Sequence, residues 1–398
     1  MSGLDRFADR CSVPRRIRRG ATLTLVFASV LATGAATGSW SEAADDGRKT
    51  PPPSVRSDAS APLRGGADTA EEAADAAADA MADGKNAKKA AEEAVSRSGD
   101  RWGSVYSRGE YEEFEQALDG AYTGVGLWAR RGADGRIEVS RVQKDGPADR
   151  AGIREGDRLR SIDGERVTGR PVTEVVALLR GDRAGTPVRL GLKRSTRAWS
   201  ETLRRARLST DSVTVSRLPG GATLIKVAAF TKGSGEAVRT AVREAPEGAG
   251  ILLDLRGNSG GLVSEAVTAS SALVDGGLVA TYDVRGVQKA LHARRGGDTE
   301  RPVVALVDGG TMSAAELLTG ALQDRGRAVV VGSRTFGKGA VQMPSRLPDG
   351  SVAELTVGHY RTPSGRAVDG RGITPDLEVE DGAEARAETV LTGLGPPS

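Results

Sequence analysis

From about residue 209 the chain alternates short, wholly apolar runs with amphipathic stretches, and this restricts its fold more than any other feature. "GILLDLRG" (250–257), "PVVALVDGG" (302–310) and "RAVVVG" (327–332) lack the polar alternation of a half-exposed strand. Such runs belong to a sheet buried on both faces, with helices packed above and below it. The intervening stretches "GSGEAVRTAVREAPEG", "LVSEAVTASSALVDGG" and "SAAELLTGALQDRG" supply those helices. "SVTVSRL" and "ATLIKVAAF" flank the turn "PGG", and "LVATYDV" is a further strand. The class is therefore α/β.

Residues 121–208 read as a separate unit. "YTGVGLWA" opens it as a glycine-flanked strand, and "GDRLRSIDGERV" gives two strands about the Asp163-Gly164 turn. "RPVTEVVALLRG" is a helix bounded by Pro171 and Gly181, and "TPVRLGLKR" and "WSETLRRARL" alternate as strands do. Before this unit, "YSRGEYEEFEQALDG" spaces Tyr111, Phe114 and Leu118 for a helix. Residues 67–98 are Ala-rich with almost no large apolar stripe, which predicts weakly packed helix or disorder.

The first 43 residues look like an export signal. Arg15, Arg16, Arg18 and Arg19 precede the apolar run 21–38, and Ser41 and Ala43 suit a cleavage site. The run is nearly long enough to span a bilayer, so a retained N-terminal anchor stays open; either way the expectation is an extracytoplasmic protein. Residues 44–66, rich in Pro, Ser and Asp, read as a flexible linker. Residues 1–43 carry six arginines against Asp5, Asp9 and Glu42, which accounts for the formal net charge of +3. The remainder is near neutral, and no nucleic-acid partner is implied. Cys11, the single cysteine, lies in the signal, so the mature chain has no thiol nucleophile, disulfide or zinc cluster. His292 and His359 are the only histidines, and no motif brings either to a serine.

Three stretches can carry chemistry. Ser313, in "VDGGTMSAAELL", follows a buried strand and opens a helix, a place that exposes a nucleophile beside backbone N–H donors. On its own a serine at a helix start is more often only an N-cap. Lys338 lies in the glycine-flanked turn "TFGKGAV", one helix and one strand further on. The run Gly332 to Gly339 fits seven of eight positions of a phosphate-binding loop. Gly339 stands where Ser or Thr would bind Mg²⁺, however, and Pro344 and Pro348 oppose the helix that such a loop opens. A desolvated lysine can instead act as general base, and Gln342, four residues on, could orient its amine. The glycine-rich turn in "LDLRGNSGGL" could present N–H groups to an oxyanion.

Residues from about 106 to 380 resemble the C-terminal processing peptidases, or tail-specific proteases, of serine peptidase family S41. "GGTMSAAE" matches that family's G-x-S-A-S-A-E, "RTFGKGAVQ" matches its R-T-F-G-K-G-x-V-Q in full, and "GRGITPDLEVE" is a further shared stretch. "DLRGNSGG" departs from D-L-R-N-N-P-G-G at Gly257 and Ser259. The unit 121–208 resembles a PDZ domain, through "GPADRAGIREGDRLRSIDGERV" and through "YTGVGL" at the carboxylate-binding loop. The resemblance implies a ClpP/crotonase-like α/β core at 209–385, an embedded PDZ domain, an N-terminal helical segment at 67–120 and a tail at 386–398. It also implies Ser313 as nucleophile, Lys338 as general base and Gln342 as its orienting partner. Backbone N–H groups of Gly260 or Gly261 with Ala314 would form the oxyanion hole. Gly124, Val125, Gly126 and Leu127 would bind a peptide's carboxylate. The implied activity needs no metal, nucleotide or other cofactor, and its substrates are proteins or peptides with apolar C-terminal tails. A catalytically inactive, PDZ-containing scaffold is the alternative. Membrane tethering and self-association stay open.

Overall fold

The computed structural model describes residues 66–394 except 133, 182, 285 and 286. The expected signal or anchor and almost all of the linker lie outside the described residues. No helix among the described residues is long and apolar enough to cross a membrane.

Helices α1 (Gly66–Ala82) and α2 (Ala87–Arg97) form a hairpin, followed by β1 (Ser104–Tyr106) and α3 (Arg108–Leu118). Next come β2 (Ala121–Gly124), β3 (Leu127–Arg131), β4 (Ile137–Val142), α4 (Pro147–Arg150), β5 (Arg158–Ile162) and β6 (Glu165–Arg166). The unit closes with α5 (Val172–Leu179), β7 (Pro187–Arg194), β8 (Arg197–Arg204) and β9 (Ala206–Ser209). Then β10 (Val213–Arg217), β11 (Thr223–Val227), α6 (Ser234–Glu244), β12 (Ile251–Asp254), α7 (Val263–Leu273), β13 (Leu278–Val284) and β14 (Val287–His292) follow. The chain continues through β15 (Val303–Val307), α8 (Ala314–Asp324), β16 (Val329–Gly332), β17 (Ala340–Arg346), β18 (Val352–Arg361), β19 (Leu377–Glu378) and α9 (Ala383–Gly393).

The apolar strands form one six-stranded sheet in the order β10-β11-β12-β15-β16-β19. All neighbours are parallel except β10 and β11, with Leu253 beside Ala305 and Ala305 beside Val330. Every residue of β12 and β15 is buried. Ile251, Leu253, Val303 and Ala305 face α6, α7 and α8. Leu252, Val304 and Leu306 face the other way, onto Ala387 and Leu391 of α9. Residues 386–393, expected within the tail, are helical, and Ala387 and Leu391 cover the second face of the sheet.

β13 does not join this sheet. It belongs with β1, β14, β17 and β18 to an antiparallel sheet centred on the ten-residue β18. The α1–α2 hairpin packs there through alanines. Ala73, Ala77 and Ala91 are fully buried against Leu347, Ala353 and Leu355. Small side chains let the helices approach closely, so the stripe that looked too weak to pack is a tight contact.

Residues 121–209 form the sheet β3-β4-β5-β7-β8 and the ribbon β2–β9. Ile137, Leu159, Ile162, Leu190 and Leu192 make their own buried core. β3 is an edge strand, and α5 lies against it.

Candidate active site

Ligand sites in parallel α/β sheets lie beyond the C-terminal ends of the strands. Here the loops that follow β12, β15 and β16 carry the three stretches singled out above, and the sheet places those strands side by side.

After β12, Asn258 fixes the glycine-rich loop. Its Nδ2 donates to the Val227 carbonyl (2.9 Å), its Oδ1 accepts the Gly260 N–H (2.8 Å), and its carbonyl accepts the Met312 N–H (2.8 Å). The last bond joins this loop to the one bearing Ser313. Gly260 has φ +98°, and a Cβ there would stand 2.9 Å from Ser313 Cβ and 3.0 Å from the Met312 carbonyl oxygen. Only glycine permits that approach. Of the three proposed oxyanion donors, the Gly260 N–H is already committed to Asn258. The N–H groups of Gly261 and Ala314 have no hydrogen-bond partner among the described residues.

After β15, Ser313 caps α8 with φ +51° and ψ −117°. A non-glycine residue in that region costs about 1–3 kcal/mol, so its surroundings must hold it there. Two groups do, and they hold Lys338 as well. The fully buried Glu316 accepts the N–H of Ser313 (2.9 Å) through Oε2, and through the same oxygen the N–H of Lys338 (2.8 Å). Its Oε1 accepts the Gly337 N–H (2.7 Å) and the Thr335 hydroxyl. The Tyr360 hydroxyl lies 2.8 Å from the Ser313 carbonyl and 3.2 Å from that of Lys338, as donor to either. Burial lifts the Glu316 carboxyl above its ordinary value despite the four bonds that favour its anion.

The turn after β16 leads into strand β17 and opens no helix, as the prolines indicated. Burial pushes the Lys338 amine below the ordinary lysine value, with Glu354 and Asp100 pulling partly the other way. Its Nζ lies 5.7 Å from the centroid of the Trp102 ring. Among the described residues Ser313 and Lys338 are joined through Glu316 and Tyr360, which bind their backbones, and no hydrogen bond joins Lys338 Nζ to Ser313 Oγ. Gln342, expected beside the amine, donates instead to the Trp102 carbonyl (2.7 Å). His359 lies 3.7 Å from Asp369, and His292 is exposed on β14.

A cavity beside the site is lined by Leu118, Phe230, Thr231, Ser259, Gly260 and Gly261. A second cavity lies between β3 and α5. Gly124, Val125, Gly126 and Leu127 form one wall, Val176, Leu179 and Arg180 the other. The Val125 and Gly126 N–H groups have no hydrogen-bond partner among the described residues, and Arg180 lies over the Tyr122 ring (5.5 Å).

Glu316, Tyr360, Trp102 and Arg180 did not emerge from the sequence. Glu316 left a signal: Ser313 and Glu316 have the S-x-x-E spacing of a capping box. The others act across many residues of sequence and left none.

The family model for peptidase family S41 matches residues 221–379, and that for a PDZ domain matches 138–194. The chloroplastic carboxyl-terminal-processing peptidase 3 of Arabidopsis thaliana is 35% identical over 72% of this chain and 59% of that protein. The carboxy-terminal processing protease CtpA of Bacillus subtilis is 30% identical over 71% and 61%. Among solved structures, the photosystem II D1 C-terminal processing protease is 29% identical, with a TM-score of 0.48 over 78% of this chain and 86% of that one. The chain belongs to peptidase family S41 and carries a PDZ domain. It spans under two thirds of the length of these curated relatives.

Proposed function

We propose that this protein is an extracytoplasmic serine endopeptidase that captures the C-terminal tails of proteins and cleaves peptide bonds with a Ser313–Lys338 dyad. The observation that carries this reading is the shared clamp: Glu316 and Tyr360 each bind the backbone of both residues. A merely structural N-cap would not need a buried carboxylate tied also to a desolvated lysine turn.

In the proposed reaction neutral Lys338 takes the Ser313 proton as Oγ attacks the peptide carbonyl. The N–H groups of Gly261 and Ala314 stabilise the resulting oxyanion, while Gly260 supplies close contact. Lys338 then protonates the departing amine, leaving an acyl-enzyme on Ser313. Water, deprotonated by Lys338, hydrolyses that ester and restores the serine. Gln342 contributes by holding the Trp102 carbonyl. The groove at Gly124–Leu127 suits an extended tail added to the open edge of β3, its carboxylate met by backbone N–H groups.

The test pairs two unstructured peptides of identical sequence with an apolar C-terminus, one a free acid and one an amide, with products identified by mass. Cleavage of both, with the free acid about 10-fold better in kcat/KM, is expected, since one well-made charged contact contributes ~1.4 kcal/mol or more. Binding of the free acid without hydrolysis of either peptide would make the chain an inactive scaffold.

A further inference from the structure

Trp102 lies outside both family matches, on a turn between α2 and β1, yet it is bound to the lysine loop from several sides. Its Nε1 donates to Asp369 (2.9 Å), and the same carboxylate oxygen accepts the Gly339 N–H (3.1 Å), one residue from Lys338. Its carbonyl accepts from Gln342, and its ring meets that of Phe336 at 5.8 Å. Asp100 pins the turn to β18, accepting the N–H and hydroxyl of Thr356 (both 2.7 Å) together with the N–H groups of Trp102 and Gly103. We infer that Trp102 is a positioning residue for Lys338, its ring forming a roof that keeps water from the amine. The inference rests on the dyad reading only for its catalytic consequence.

Two effects of the ring oppose each other. Its face attracts a cation and so favours the ammonium. By excluding water it disfavours the same charge. Burial is the largest influence on Lys338 and leaves its amine depressed even with carboxylates near, and part of that burial is assigned to the ring 5.7 Å from Nζ. Those carboxylates are Glu354 on β18 and Asp100 on the turn. Around them stand Arg101 and His359 on Asp369, Glu316 under the lysine backbone, Tyr106 on β1 beside Glu354, and Tyr360. Gln342 thus acts on the lysine through Trp102, which gives its place in the shared "RTFGKGAVQ" stretch a physical role.

The direct test is competitive acetylation with trace acetic anhydride across pH, in the full chain carrying Ser313→Ala, with Lys338 followed by mass spectrometry. Trp102→Ala should move the Lys338 midpoint upward by about one unit, a tenfold loss of neutral amine at any pH below both midpoints, since burial can shift such groups by several units. Trp102→Phe should keep the parent midpoint. Gln342→Leu, which frees the Trp102 carbonyl at similar volume, should move it in the same direction and serves if Trp102→Ala does not fold. In chains with Ser313 intact, the acid limb of kcat/KM should follow the labelling. An unchanged midpoint in the folded variants overturns the inference. A peptidase-dead wild type with a Trp102-dependent midpoint would sink the proteolytic reading and leave this one standing.

Discussion

Glu316 is the residue on which the site depends most. It is fully buried, and its two oxygens take four donors from two loops. Replacing Glu316 by Gln keeps the shape but turns one oxygen into an amide NH2, a donor that faces other donors. Leaving buried donors unsatisfied costs about 1–3 kcal/mol. A lower melting temperature and a fall of at least about 10-fold in kcat are therefore predicted, checked by calorimetry and peptide kinetics; unchanged values for both would remove Glu316 from the clamp. The residues proposed to react are legible in the sequence because their motifs are local: a serine at a helix start, a lysine between glycines, a glycine pair after a strand. What binds them is less so. Tyr360 is 47 residues from Ser313 and Trp102 is 240 from Gln342, and no local pattern encodes those bonds.

Elements differ in how openly the sequence announced them. Strands β12, β15 and β16 were plain, because burial on both faces leaves an unbroken apolar run. β13 has a similar composition but pairs with β14 and β18, since partner choice depends on long-range packing that strand composition does not record. β14, in a polar stretch, was not anticipated; most of its residues are exposed. β18 links the candidate loops, as it carries Tyr360 and Glu354 and anchors the turn bearing Trp102. Tyr360→Phe deletes only the hydroxyl that bridges the serine and lysine loops. The expected result is a stability loss of about 0.5–1.5 kcal/mol and a lower kcat at near-constant KM, because the groove lies elsewhere. A change confined to KM would contradict this placement.

The molecule combines three β units, and the second face of its central parallel sheet is covered by α9 through Ala387 and Leu391. Arg256 joins that helix to the sheet, binding Asp254 at the end of β12 and Glu384 of α9, both at 2.8 Å. Burial raises the Asp254 carboxyl, but Arg256 and Lys226 outweigh it and hold the group below its ordinary value. A depressed carboxyl gives stability that is present above its unfolded value near ~3.9 and is lost as pH falls through the folded value. Asp254→Asn should therefore flatten the loss of melting temperature below about pH 4, and an acid limb as steep as wild type would assign that limb to other carboxylates. The most decisive measurement concerns the dyad itself: cleavage of an unstructured, apolar-tailed peptide by wild type, Ser313→Ala and Lys338→Ala, each shown to be folded. Cleavage by wild type is predicted, with both variants reduced by about 10³-fold or more. Cleavage by Ser313→Ala at the wild-type rate would show that another group attacks the peptide.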